Sequence, residues 1–424
     1  MSSVKYWIWL SGLRGLRPIA RNIVLEHFGS PAEAFFADDR EIDALPGLKP
    51  GEAEILKNRN TDTAMSIIEA CDSSGVTILT LQDAGYPSRL KNIYDPPAVL
   101  YIKGSLPTVD EEAAVAIAGT RDATPYGLKM AQRMGYELTK GGALVVSGLA
   151  AGIDSAGAYG ALRAGGRCIG VLGTAIDVVY PRSNRRLFDD VAAVGALVSE
   201  FPPGAATARG NFPQRNRIIS GLSVGVVIIE APQRSGSLIT ADFAQEQGRD
   251  VFAVPGNADS ENCLGSNGLI KSGAKAVTEG ADVLLEYTGL YPNKIRLLSR
   301  AEVKIPQEQP VPKPPVEPTE AAIPPKETGA DFAVLRAPAG QKEIDKENVI
   351  DYSDLEQQLE ELSETQLKIV AALSEGTLPV DDIIERVQLS AGAVLSDLTI
   401  LQIKGFVSQE SGKRFTLKVR AKRG

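Results

Sequence analysis

The sequence predicts an α/β protein: an extended Rossmann-like parallel sheet, with a small all-helical N-terminal domain and a C-terminal winged helix. Three observations predict it. Between Ala114 and Gly256, short apolar strands end in loops of glycine and small polar residues, and helical patterns follow the first three of these loops. Parallel strands joined by helical crossovers have this pattern. A proline-rich stretch from Tyr291 to about Gln341 cannot build a core and separates the two ends of the chain. After it, from Asp354, helical periodicity returns and gives way to an alternating hairpin.

The strands come in order. Ala114–Ala118 runs into Gly119-Thr120-Arg121 and on to Tyr126-Gly127; Ala143–Val146 runs into Ser147-Gly148-Leu149-Ala150 and Gly152-Ile153-Asp154. Val224–Ile229 runs into Glu230 and Ser235-Gly236-Ser237, and Asp250–Val254 into Pro255-Gly256-Asn257. Arg167–Leu172 and Ala196–Ser199 are two further strands. In a parallel sheet the strand C-termini share one edge, where ligands bind. Three of these loops open helices whose free N–H groups favour an anion. The sequence therefore predicts a phosphate-binding edge.

The other elements fill the chain as 1–72 helical domain, 73–109 connecting segment, 110–288 Rossmann-like domain, 289–353 linker and 354–424 winged helix. In the first, apolar-Gly-apolar turns at Leu10–Leu13 and Leu45–Leu48 precede helices over Arg17–Phe28 and Gly51–Asn58. They resemble helix-hairpin-helix turns, whose amides can hold a phosphate; plain packing with the glycines as caps accounts for them equally. In the second, Val76–Leu81 is a short strand, and Pro96-Pro97 forces an extended approach to the next, so the segment should lie against the sheet edge. In the last, Ser363 and Gln366 fit a capping box, Pro379–Val387 and Ser390–Lys404 are further helices, and Phe406–Val419 is a hairpin around Ser411-Gly412. Lys413, Arg414, Lys418, Arg420, Lys422 and Arg423 fit either a DNA contact or a protein-docking wing with solvated cations.

Composition excludes several classes. A net charge of −8 rules out a generally basic nucleic-acid coat but allows a local basic groove. Cys71, Cys168 and Cys263 form no CxxC pair, which argues against a zinc site or disulfide framework and for a reducing cytoplasm; Cys168 reads as a core filler. His27 is the only histidine, so a Ser–His mechanism lacks its base; its place near a helix end fits a dipole contact or packing. The N-terminus has no long apolar region of a signal peptide, and Ala143–Leu162 is broken by Ser-Gly and Ala-Gly-Ile-Asp, so no membrane segment is expected.

The most informative run is Arg209-Gly210-Asn211-Phe212-Pro213-Gln214-Arg215-Asn216-Arg217. Interleaved cations and an aromatic hold single-stranded nucleic acid, the arginines on phosphates and the ring on a base. Gly119 and Gly127 flank Arg121, so amides and a guanidinium could clamp one phosphate, with Ser147, Gly148, Ser235 and Gly236 on neighbouring strand ends. A mononucleotide or dinucleotide enzyme predicts GxGxxG or GxxxxGK[ST] after the first strand, and neither is present. A purely structural dimer platform needs fewer polar strand ends than these. Asp154 reads as a helix N-terminal charge and Glu230 as a group that could orient Arg215 or Arg217; neither belongs to a metal-ligand cluster. No cofactor, metal or catalytic residue is expected.

Taken together, Gly119-Thr120-Arg121, Tyr126-Gly127, Ser147–Ala150, Gly152-Ile153-Asp154, Tyr180-Pro181, Ser199-Glu200, Phe212–Arg217, Ser235-Gly236-Ser237 and Val254-Pro255-Gly256 closely resemble the DprA/Smf family of DNA-processing proteins, across essentially the whole chain. The resemblance implies a non-enzymatic recombination mediator that binds incoming single-stranded DNA, forms a homodimer through the Rossmann-like domain and helps load the RecA recombinase. It further implies that Gly119, Thr120 and Arg121 hold phosphate, that Asn211, Phe212, Arg215, Asn216 and Arg217 line the strand's path, and that Ser235 and Gly236 close it. This chain departs from the family pattern at Ala151, where Arg is usual, near Ala158, where His is usual, and at Ala175, commonly Gly. The contribution of the pocket beside Ala151 is thereby left open.

Overall fold

The computed structural model describes residues 3–299, 302, 363–373, 377–387, 394, 397–398, 401–402, 406–410 and 414–417. The chain divides into two compact units, Met1–Glu320 and Ala321–Gly424.

The first unit begins with six helices: α1 (Val4–Gly12), α2 (Pro18–Phe28), α3 (Pro31–Phe36), α4 (Asp39–Asp43), α5 (Pro50–Leu56) and α6 (Asp62–Ser74). Proline opens α2, α3 and α5, where its missing N–H costs nothing and its φ suits the first turn. Leu10, Val24, Ile42 and Leu56 form a small core among them. Trp7 and Ile8 of α1 and Ala64 and Cys71 of α6 instead join the core of the sheet, so the helices are fused to it rather than set apart. His27 lies in the last turn of α2 with Nε2 3.3 Å from Glu41 Oε1, both half exposed, which makes it a surface pair.

The rest of this unit is a nine-stranded sheet. Its elements are β1 (Thr77–Thr80), α7 (Ser88–Lys91), β2 (Val99–Gly104), β3 (Ala114–Ala118), α8 (Pro125–Lys140), β4 (Leu144–Ser147), α9 (Ile153–Arg163), β5 (Cys168–Leu172), α10 (Arg185–Val194), β6 (Ala196–Ser199), α11 (Asn211–Gly221), β7 (Gly225–Ile228), α12 (Gly236–Glu246), β8 (Asp250–Ala253), α13 (Leu264–Lys271), β9 (Lys275–Ala276) and α14 (Gly280–Leu284). The strand order is β1-β2-β6-β5-β4-β3-β7-β8-β9. From β6 to β9 every pairing is parallel, whereas β2 pairs antiparallel with β6 and β1 with β2. The connecting segment thus extends the sheet edge, as its sequence predicts. After β6 the chain reverses its direction across the sheet, so right-handed crossovers put α8, α9 and α10 on one face and α11 and α12 on the other. The crevice opens where the loops after β3 and β7 diverge to opposite faces. Cys168 is a fully buried core residue of β5, and burial pushes its thiol up to about 12.

Packing continues beyond residue 288, where the linker was expected to begin. Arg89 Nη2 donates to Tyr291 Oη at 3.0 Å, Lys294 pairs with Glu112 at 3.0 Å, and Arg296 N donates to Gly141 O at 2.9 Å. Ile295 packs on the core. Residues 303–362, most of the proline-rich stretch, lie outside the described residues.

The second unit contains α15 (Glu364–Leu373), β10 (Leu378–Pro379), α16 (Val380–Val387), β11 (Val407–Glu410) and β12 (Arg414–Leu417), with helical residues at Val394, Leu398 and Leu401. The sheet order is β10-β12-β11, and Ile369, Ile383, Leu398, Phe406 and Phe415 share one core, in a winged-helix arrangement. The capping box is present: Gln366 N donates to Ser363 Oγ at 3.2 Å, and Ser363 N to Gln366 Oε1 at 3.3 Å. Arg414 lies in β12, whereas Lys413, Lys418, Arg420, Lys422 and Arg423 lie outside the described residues.

A fragment ending at residue 302 should therefore fold and melt cooperatively. One ending at 288 loses the Tyr291, Ile295 and Arg296 contacts and should melt lower, by roughly 2–4 °C for each kcal/mol lost. Failure of the longer fragment to fold, measured by thermal melting, contradicts the packing described.

Candidate nucleic-acid interface

The loops after β3, β4 and β5 meet α11 and α12 at the strand ends. Gly119 leaves β3 with no room for a side chain: a Cβ there would lie 2.6 Å from Ile153 Cγ1 and 2.8 Å from Glu230 O. Thr120 N donates to Glu230 O at 2.7 Å, and Ile153 N donates to Thr120 O at 3.2 Å. Thr120 is buried by these bonds, and Arg121 is turned outward and exposed. Its guanidinium carbon lies 5.3 Å from the centre of the Phe212 ring, within cation–π range, and Tyr180 packs 5.4 Å from the same ring. Tyr180 is 43% exposed. A surface cluster of Arg121, Phe212 and Tyr180 results, built from three separate segments.

Asn211 and Phe212 form the first turn of α11 and are half-buried. One turn on, Asn216 Nδ2 donates to Gly236 O at 3.1 Å and so ties α11 to the start of α12. Ser235 caps α12, its Oγ accepting from Ser237 N at 3.3 Å. Gly236 is exposed, with open space where a side chain would stand. Exposed Arg209 and Arg234 flank the two helix starts.

Several residues expected at the surface are inside. Arg215 is 5% exposed; its Nη1 donates to Gly148 O at 2.8 Å and also to Val171 O, joining the ends of β4 and β5. It is a structural spoke rather than an open phosphate clamp. Arg217 is 4% exposed and is bound by Glu200 at 2.8 Å and Asp95 at 3.1 Å, so it does not line a DNA path. Ser147 is fully buried, its Oγ donating to Asp154 O at 2.9 Å and accepting from Leu149 N. Gly148 is buried between Arg215 and Asp154, and a Cβ there would collide with both. Glu230 orients neither arginine: it accepts from Thr124 N at 2.9 Å and Thr124 Oγ1 at 2.5 Å, beneath the start of α8.

Two family models match the chain. One, for DNA recombination-mediator protein A, spans residues 77–288, and one for the DprA winged helix domain spans 353–413. Protein Smf of Synechocystis sp. is 34% identical over 425 residues, 98% of this chain and 98% of its own length. The chain belongs to the DprA family. DNA processing protein DprA of Streptococcus pneumoniae is 44% identical over 208 residues, 49% of this chain and 73% of its own. The X-ray structure of DNA processing protein A from the same species aligns with a TM-score of 0.53 at 36% identity, covering 66% of this chain and 97% of that one.

At the positions where this DprA-family chain departs from the expected pattern, Ala158 and Ala175 are buried and Ala151 is half-buried in the turn before α9. Among the described residues no group of three or more His, Cys, Asp or Glu could hold a metal ion, and no helix is long and apolar enough to cross a membrane.

The electrostatics beneath the surface cluster distinguish the two buried arginines. Burial lowers the pKa of Arg217, but Glu200 and Asp95 outweigh it and hold the group above its ordinary value. For Arg215 burial prevails over attraction to Asp154, and its pKa falls to about 10. Burial likewise pushes Asp154 up to about 6, against the pull of Arg215 and of the Gly119 and Ala150 amides that bond it. Asp154 therefore binds a proton more tightly folded than unfolded. Its contribution favours the fold below pH 3.8, declines as pH rises to about 6, and remains unfavourable above that. Asp154→Asn should remove this dependence, so the melting temperature of wild type should fall relative to the variant between pH 4 and about 6. Parallel pH curves for the two proteins contradict the assignment.

Proposed function

We propose that this protein binds single-stranded DNA along the strand-end edge of its sheet and acts, without catalysis of its own, as a mediator that passes the strand to a RecA recombinase. The observation that carries this reading is the exposed Arg121–Phe212–Tyr180 cluster at the crevice of the sheet. Arg121 supplies charge for a phosphate, and the Phe212 ring holds the guanidinium in place rather than leaving it to swing freely. Tyr180 offers a ring face to a base, which every base can use regardless of sequence. Asn211, Asn216, Ser235 and Gly236 continue the path toward the start of α12, whose dipole favours a second phosphate, while the Gly119 and Thr120 amides, bonded to Asp154 and Glu230, hold the loop that carries Arg121.

Membership of a recombination-mediator family supports the step from binding to hand-over. We extend it to a homodimer through the Rossmann-like domain working in the cytoplasm, as the sequence resemblance implies. Two or more phosphates held along one edge suit a strand better than a mononucleotide.

Arg121→Ala should weaken poly-dT binding at every salt concentration. It should also make the slope of log K against log salt shallower by about 0.7, the single-strand value for one phosphate. Tyr180→Ala should cost ~1–3 kcal/mol with the slope unchanged, as loss of a stacked base does. Phe212→Ala combined with Arg121→Ala should be less than additive, because the ring acts partly through the guanidinium. Unchanged affinity in both Arg121→Ala and Tyr180→Ala, measured by fluorescence anisotropy, would move the site elsewhere.

A further inference from the structure

Helix α11 carries Asn211, Phe212 and Asn216 on the proposed DNA side and Arg217 on another, where it is bound into a network that reaches the N-terminal helices. Arg217 Nε donates to Asp95 O at 2.9 Å and Asp95 Oδ2 at 3.1 Å; its Nη1 and Nη2 donate to Glu200 at 3.0 and 2.8 Å. The other carboxylate oxygen of Asp95 accepts from Arg21 Nη2 of α2 at 3.4 Å. Arg21 and Asp95 are only 14% and 16% exposed. Two cations and two carboxylates therefore alternate as Arg21–Asp95–Arg217–Glu200, across three parts of the chain distant in sequence. Asp95 occupies the loop before β2, and the same segment packs behind α11, since a Cβ at Gly221 would lie 2.7 Å from Leu90 Cδ1 and 3.2 Å from Ile93 Cγ2.

We infer that Asp95 is a positioning residue for the DNA site, through which the N-terminal helical domain sets the placement of α11. The inference rests on the function proposed above. Arg21 neutralises the carboxylate that holds Arg217; without it, Asp95 and Glu200 present two negative charges to one arginine and repel each other across it. Asp95 is then free to swing toward solvent, and α11 loses one of its two carboxylate ties. The helix carries both the ring that holds Arg121 and the amide that reaches α12, so a small shift of α11 disturbs two points of the DNA path together. A ligand or protein that engages α2 at Arg21 would change DNA affinity without touching the DNA.

The test uses the full chain with Asp95→Ala, Arg21→Ala and Arg21→Lys, each checked by thermal melting. Two readouts are compared: poly-dT affinity across salt, and hydrogen exchange of the α11 amides without DNA. Asp95→Ala and Arg21→Ala should weaken poly-dT binding by roughly three- to tenfold, the size of coupling that packed networks transmit, with the salt slope unchanged. Exchange in α11 should quicken in both, Arg21→Lys should restore both readouts in part, and the double variant should be no worse than Asp95→Ala. Affinity within twofold of wild type in both variants overturns the inference. So does a slope reduced by one phosphate, which would make these residues direct DNA contacts. If wild type itself fails to bind poly-dT, the proposed function fails, and the exchange readout alone decides: quickened α11 amides in Arg21→Ala sustain the coupling, and unchanged ones end it.

Discussion

The strand-end edge depends on a charge taken out of water at Arg215. An arginine this deeply buried must find its partners in the protein: Nη1 donates to the carbonyls of Gly148 and Val171 with Asp154 alongside, while Nε is buried with no hydrogen-bond partner. The consequence is geometric. Two neighbouring strand ends are joined to one helix, and Asp154 in turn takes the amides of Gly119 and Ala150, which lie in two different loops. Both partners shift toward their neutral forms, so desolvation outweighs their mutual attraction. The pair is therefore better understood as fixing one arrangement of the loops than as a source of stability. Arg121 is exposed on the loop whose first amide, that of Gly119, this buried carboxylate holds.

Much of the fold was legible because it rests on short-range signals. Strands buried on both faces read as continuous apolar runs, and the glycine-rich loops after Ala118 and Val146 marked where they ended. The capping box at Ser363 and Gln366 announced the first helix of the winged unit. Less legible was how far packing runs at the boundaries. Trp7, Ile8 and Cys71 look like the core of a small helical domain, yet they complete the sheet's core. Tyr291 and Arg296 sit beside a proline-rich stretch but are held by Arg89 and Gly141. Those partners are roughly 150 to 200 residues away, and no local pattern encodes them.

The candidate site was legible in its location and partly misassigned in its residues. The run from Asn211 to Arg217 reads in sequence as one cationic strip, but it forms the first two turns of a helix, and helical spacing scatters it. Phe212 and Asn216, four apart, share a side. Arg215 falls on the stripe of Ile218, Ile219 and Leu222 and goes inward, and Arg217 points elsewhere again, to Asp95 and Glu200. The apolar residues at 218, 219 and 222 carried the signal that Arg215 is buried. Tyr180 gave no such signal; only the fold brings it to Phe212.

The proposed function requires this edge to hold a strand of DNA rather than a nucleotide. Titration of the full chain with labelled poly-dT and with a matched duplex, at two salt concentrations and with or without excess ATP or NAD, tests it most directly. Binding should favour the single strand, weaken with salt and be indifferent to either nucleotide. Equal binding of strand and duplex, or displacement of poly-dT by a mononucleotide, would contradict it.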